Sequence, residues 1–128
     1  MIWFSAKMTG QANREDFLNK LKRSSEVNIT VRGRATKRKF STPVWFVLEG
    51  GRVILVPIKG SESNWFKNLT KDPHIELGLN EIAYPSNATL VRDSTQTKKA
   101  LDKFKAKYKS EWSESYYTKR DAYVEVPL

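Results

Sequence analysis

The sequence has no cysteine and a single histidine, His74, in 128 residues. Disulfides, thiolate catalysis and cysteine-ligated zinc or iron–sulfur centres are therefore excluded, as is a multi-histidine metal site within one chain. Long hydrophobic runs are also missing. Nothing approaches the roughly 20 apolar residues that a membrane-spanning helix needs. The opening stretch, MIWFSAKMTGQ, has too short an apolar run and too few leading cations for a secretory signal, so a cytoplasmic protein is expected. Without such a signal, the glycosylation-type triplets at Asn28, Asn68 and Asn87 count as chance. Acidic residues are scarce beside basic ones, 14 against 23, for a formal net charge of +9. That excess favours anionic partners: a phosphorylated cofactor, nucleic acid or an anionic membrane surface.

What is present reads as one domain over residues 1–128, with no internal repeat, low-complexity tract or linker. Residues 13–24 have helical spacing, with Asn13 as a candidate N-cap and Phe17, Leu18 and Leu21 on one face. Val27, Ile29 and Val31 alternate as a half-buried strand. Residues 74–79 and 86–92 read as further strands, the second following a Tyr84-Pro85 turn. From Ser94 to about Lys109, Leu101, Phe104 and Tyr108 line one face of a lysine-laced helix. Residues 111–120 suggest another short helix, and residues 121–126 alternate as a closing strand. A helix, about six short antiparallel strands and a helix before the last strand favour a small, mainly β barrel with flanking helices.

The candidate chemistry lies in Lys39 to Pro73 and the basic loop before it. Residues 40–48 and 52–58 are nearly continuously apolar and are joined by Glu49-Gly50-Gly51, a hairpin signal. Continuous apolarity implies that both faces are covered, as in a barrel wall that also forms a subunit interface. Pro43 and Pro57 mark either a bulge or a protected edge. Interrupted pairing there would leave neighbouring backbone groups free for a ligand. The run from Arg32 to Lys39 reads either as a solvated connection or as an anion-binding rim, with Gly33 allowing close backbone approach. Ser61 or Ser63 is placed to cap a short helix over Trp65–Leu69, which Asp72-Pro73 would end. Trp65 suits either a core anchor or a ligand contact, and His74 a structural position.

These motifs resemble, in order, those of the split-barrel flavin-binding superfamily typified by pyridoxamine 5'-phosphate oxidase, and most nearly its deazaflavin-dependent nitroreductase family. The resemblance is carried by Arg32-Gly33-Arg34, Thr42-Pro43-Val44, Glu49-Gly50-Gly51, Lys59-Gly60, Trp65-Phe66-Lys67-Asn68-Leu69 and Asp72-Pro73. It covers about residues 27–80. It implies a homodimer of six-stranded antiparallel split β-barrels holding FMN or a deazaflavin near the subunit interface. Lys37, Arg38 or Lys39 together with Lys59, in its turn with Gly60, would neutralise the cofactor phosphate. Backbone groups of Val56, Pro57 and Ile58 would flank the ring, and Thr42, Pro43, Trp65 and Asn68 would shape or support the pocket. The bound ring would carry hydride or electrons to a small organic acceptor. The chain departs from the family pattern at Ala35-Thr36, where a serine and glycine are usual, and at Ser61-Glu62, where a second glycine is common.

Two other functions compete. One is a basic small barrel that binds single-stranded nucleic acid through stacked aromatics and lysines. The other is a cofactor-free barrel serving as a structural or regulatory dimer.

Overall fold

The computed structural model describes residues 10–128, with side chains from Arg14 onward. The opening stretch, expected to hold no secretory signal, lies almost wholly outside them. Phe17 and Leu21 sit one helical turn apart and are both buried, anchoring helix α1 (Gly10–Lys22). The helix begins before Asn13, so that residue lies within it rather than at its cap.

The remaining elements are β1 (Val27–Arg32), β2 (Lys39–Val44), β3 (Val47–Glu49), β4 (Arg52–Leu55), a 3-10 turn at Gly60–Glu62 and α2 (Asn64–Lys71). They continue as β5 (His74–Leu79), β6 (Ile82–Asn87), β7 (Thr89–Val91), α3 (Ser94–Tyr108), a 3-10 turn at Lys109–Glu111 and β8 (Tyr123–Pro127). The strands form two four-stranded antiparallel sheets, ordered β2-β1-β5-β6 and β3-β4-β8-β7.

In place of the expected six strands, the described residues form eight segments. The run 40–48 breaks at Trp45-Phe46 and the run 82–91 breaks at Ala88, and at each break the chain passes from one sheet to the other. Backbone groups at a break need other partners. The Phe46 N–H donates to the Tyr108 hydroxyl at 3.0 Å, and the Phe46 carbonyl accepts from Lys107 Nζ at 2.8 Å. At the second corner the Ala88 N–H donates to the Pro73 carbonyl at 2.8 Å.

Between the sheets lie Ile29, Val53, Leu55, Ile75, Leu77, Val124 and Val126, closed by Phe17 and Phe66. A second cluster on the outer face joins Ile54 and Val56 to Leu101, Phe104, Tyr108 and Tyr117. The apolar run through β4 is therefore covered on both faces by this chain itself. Helix α3 takes the place that a partner subunit was expected to fill. By contrast β2, expected to be covered, has five exposed residues ahead of Val44.

Three smaller expectations also change. Tyr84 and Pro85 lie within β6 opposite Leu77 and Glu76, and the turn sits instead at Asn80-Glu81, where Asn80 takes a φ of 54°. Pro57 falls beyond the end of β4, whereas Pro43 sits in β2, an edge strand among the described residues, which is where sheets tolerate proline. The short helix expected over 111–120 is absent: a 3-10 turn ends at Glu111, and residues 112–120 are irregular. Among the described residues, no helix is long and apolar enough to cross a membrane.

Candidate cofactor site

Two clefts meet at the N-terminal end of α2, which contributes Asn64 and Trp65 to both. The first, about 330 Å³, is lined by Pro43, Val44, Trp45, Val56, Ile58, Lys59, Ser63, Tyr116 and Tyr117, with Glu26 at one side. The second, about 430 Å³, is lined by Gly33, Arg34, Ala35, Thr36, Phe40, Thr42 and Asn68. Each is within the size range of small-ligand sites.

Local chemistry explains how these walls are held. The loop after β1 closes on itself, the Gly33 N–H donating to the Arg38 carbonyl at 2.7 Å and the Lys37 N–H to the Gly33 carbonyl at 3.0 Å. A side chain on Gly33 would meet the Phe40 ring at 2.6 Å, so the close approach requires glycine. Asn68, nearly buried, ties this loop to α2. Its Oδ1 accepts from the Arg34 N–H at 3.1 Å and from Arg34 Nη1 at 2.8 Å.

On the other side, the Lys59 N–H donates to Ser63 Oγ at 3.0 Å. Ser63 occupies the N-cap position of α2, but its hydroxyl is spent on this bond and does not cap the helix. The Pro57 carbonyl accepts from the Gly60 N–H at 3.0 Å, and the Ile58 carbonyl accepts from the Thr118 N–H at 2.9 Å. Those two carbonyls, expected to be free for a ring, already have partners.

The sequence-derived residues are therefore only partly brought together. Val56, Ile58, Lys59, Pro43 and Trp65 share the first cleft, while Thr42, Asn68 and again Trp65 share the second. Lys37, Arg38 and Lys39 line neither cleft, and Gly60 is buried against Asp121. Lys59 and the basic loop serve different clefts. Sequence reasoning missed Phe40, Asn64, Tyr116 and Tyr117. The tyrosines come from an irregular segment without periodicity, and no local signal points to them.

Charge is distributed unevenly around the clefts. Arg34, Lys37, Arg38, Lys39 and Lys59 pair with no carboxylate among the described residues. Glu62, which would repel a phosphate, is engaged by Lys67 at 3.2 Å and Lys119 at 3.7 Å. The bond from Lys67 and the nearby Lys119 charge hold the Glu62 carboxyl below its usual pKa. Burial raises the Tyr117 pKa above the ordinary phenol value, with Tyr116 and Tyr108 adding to the effect, so its hydroxyl stays a neutral donor. Lys59 in one cleft and Arg34 in the other, each beside aromatic and apolar side chains, suit a flat ring carrying a phosphate.

The pattern of the F420H(2)-dependent quinone reductase family matches residues 4–127. The chain belongs to that family. No curated protein matches the sequence. Among solved structures, this member of the quinone reductase family is similar to an F420-H2 dependent reductase, with a TM-score of 0.56 and 17% identity over 80% of this chain and 93% of that one. It is similar to a pyridoxamine 5'-phosphate oxidase from Listeria innocua, so described in its name, with a TM-score of 0.64 and 12% identity over 88% and 90% of the two chains. It also resembles a protein from Bacteroides thetaiotaomicron that is named for 5-nitroimidazole antibiotic resistance, with a TM-score of 0.63 and 15% identity over 88% and 78%. At these identities the structural likeness speaks for the fold. The relation to deazaflavin-dependent reductases rests on the family match.

Proposed function

We propose that this chain is a reductase that binds a deazaflavin coenzyme across the two clefts around Trp65, as a homodimer, and passes hydride to a small organic acceptor. The observation carrying the reading is one cation in each cleft, Lys59 in the first and Arg34 in the second, each beside an aromatic ring and paired with no carboxylate among the described residues, in a chain of the quinone reductase family. The coenzyme would supply hydride-transfer chemistry, which none of these side chains provides. Lys59 and Arg34 would neutralise its phosphate from the first and second cleft respectively. Trp65, shared by both, would separate and orient the parts of the ligand. Trp45, Tyr116 and Tyr117 would keep water from the reacting face. A dimer would cover the exposed β2 face beside Phe40, which is 53% exposed.

The nucleic-acid reading is not favoured. Phe46 is fully buried and one face of Trp45 is covered by Tyr108 at 4.1 Å between ring centroids, so the aromatic run 44–47 is packed against the fold rather than displayed as a platform for successive bases.

Deazaflavin and FMN titrations of the purified protein, followed by fluorescence quenching and melting temperature, decide the matter. Deazaflavin at about 100 times its dissociation constant should stabilise the fold by about 2.7 kcal/mol, and Lys59→Ala should weaken that binding. Tighter binding of FMN would change the coenzyme. Binding of neither would end the proposal.

A further inference from the structure

The turn Lys59–Glu62 and the irregular segment 112–121 after α3 meet at Asp121, a carboxylate that no sequence motif singles out. Its Oδ1 accepts from the Ser61 N–H at 2.9 Å and its Oδ2 from the Ser61 hydroxyl at 2.6 Å. Gly60 is packed so tightly here that a Cβ would lie 2.2 Å from Asp121 Oδ1 and 2.8 Å from the Lys119 carbonyl. Beside this contact, the Thr118 N–H donates to the Ile58 carbonyl at 2.9 Å. Lys119 Nζ stands 3.7 Å from Glu62 and 3.9 Å from Asp121.

The two pieces joined in this way supply different walls of one cleft. The turn brings Ile58 and Lys59, and the segment brings Tyr116 and Tyr117. Between the 3-10 turn ending at Glu111 and β8, the segment has no helix or strand to fix it. Tyr117 packs into the α3 cluster against Phe104 and Trp112, and Tyr116 against Trp45, while the attachments to the Lys59 turn fix the 118–121 end of the strap and so how the tyrosine wall stands against Lys59.

We propose that Asp121 is a positioning residue: through Ser61 it locks the 112–121 strap onto the Lys59 turn, so that the cationic and aromatic walls of the first cleft are assembled together. This rests on the reading of that cleft as a coenzyme site. A ligand gripped at Lys59 then steadies the tyrosines, and a loosened strap weakens the grip at Lys59.

The test compares Asp121→Ala, Asp121→Asn, Ser61→Ala and Lys59→Ala in the full chain, by amide hydrogen exchange and deazaflavin titration. Loss of both bonds to a carboxylate should speed exchange at Thr118 and Lys119 by about tenfold or more, and weaken deazaflavin binding by about the same factor. Asp121→Asn should stay near wild type, because an amide can accept from the Ser61 N–H and donate to its hydroxyl. Ser61→Ala, which loses one bond and keeps the carboxylate, should shift both readouts in the same direction by less, and it serves if Asp121→Ala fails to fold. Lys59→Ala should weaken binding and leave strap exchange in the ligand-free protein unchanged. Unchanged exchange at Thr118 in the ligand-free Asp121→Ala or Ser61→Ala protein would overturn the proposal. So would faster exchange with wild-type affinity. If the wild-type protein binds no deazaflavin, the coenzyme reading falls, and ligand-free exchange alone decides the clamp.

Discussion

Asn68 shows how a motif residue can be recognised for one reason and needed for another. It was expected to support the pocket as part of Trp65-Phe66-Lys67-Asn68-Leu69, and it lines the second cleft. Its side-chain oxygen, however, is committed to two donors of Arg34. Asn68→Ala leaves the Arg34 N–H without that acceptor and should cost about 1–3 kcal/mol. Asn68→Asp keeps an acceptor for both donors and adds charge complementarity, so it should cost less. Urea unfolding of the two variants measures the difference, and equal losses would mean that the Arg34 bonds contribute nothing. Gly60 makes the complementary case. A Lys-Gly turn is legible as a motif, but the steric reason for the glycine lies in Asp121, far along the chain, and no local pattern reveals it.

Among the elements, the periodic ones were legible and the corners were not. The alternation in β1, the hairpin glycines at 50 and 51 with φ of 59° and 77°, and the apolar face of α3 all follow from local spacing. The break between β2 and β3 instead depends on α3, whose Tyr108 and Lys107 bond the Phe46 backbone across some sixty residues of sequence. This contact should give stability a characteristic alkaline profile. Burial, between the rings of Phe46 at 3.6 Å and Tyr108 at 5.0 Å, pushes the Lys107 pKa from 10.5 down to about 8. Between about pH 8 and 10.5 the unfolded chain thus binds more protons at Lys107 than the folded one, and stability rises with pH. Burial pushes Tyr108 the other way, from 10.0 up to about 12. Its folded form holds a proton that the unfolded chain releases above pH 10, so stability then falls. Melting temperature should accordingly climb from pH 8 toward 10 and drop beyond it. Lys107→Met should remove the climb and Tyr108→Phe should soften the drop. A flat profile in the wild type would contradict both shifts.

At the scale of the whole molecule, the mainly β class with flanking helices could be anticipated, whereas the division into two sheets could not. Local alternation specifies strands, but which sheet a strand joins depends on what lies across the corner. The same limit misplaced the interface. Continuous apolarity in 52–58 was assigned to a partner, yet α3 covers it; the apolar surface left over lies elsewhere. Phe40, Ile58 and Tyr116 are 53%, 39% and 46% exposed, and among the described residues β2 pairs on one side alone. An open strand edge beside exposed rings invites pairing with another copy unless it is covered. The proposed homodimer does so with the same surface that borders both clefts, so assembly and coenzyme binding should be linked. Sedimentation should give twice the chain mass, and Phe40→Glu should shift the protein toward the monomer without altering its circular dichroism. Because Phe40 lines the second cleft, that variant should also bind deazaflavin less tightly, with the loss partly recovered at high protein concentration if assembly is the cause. A wild-type monomer at every concentration would rule out the dimer and leave the clefts as sites formed within a single chain.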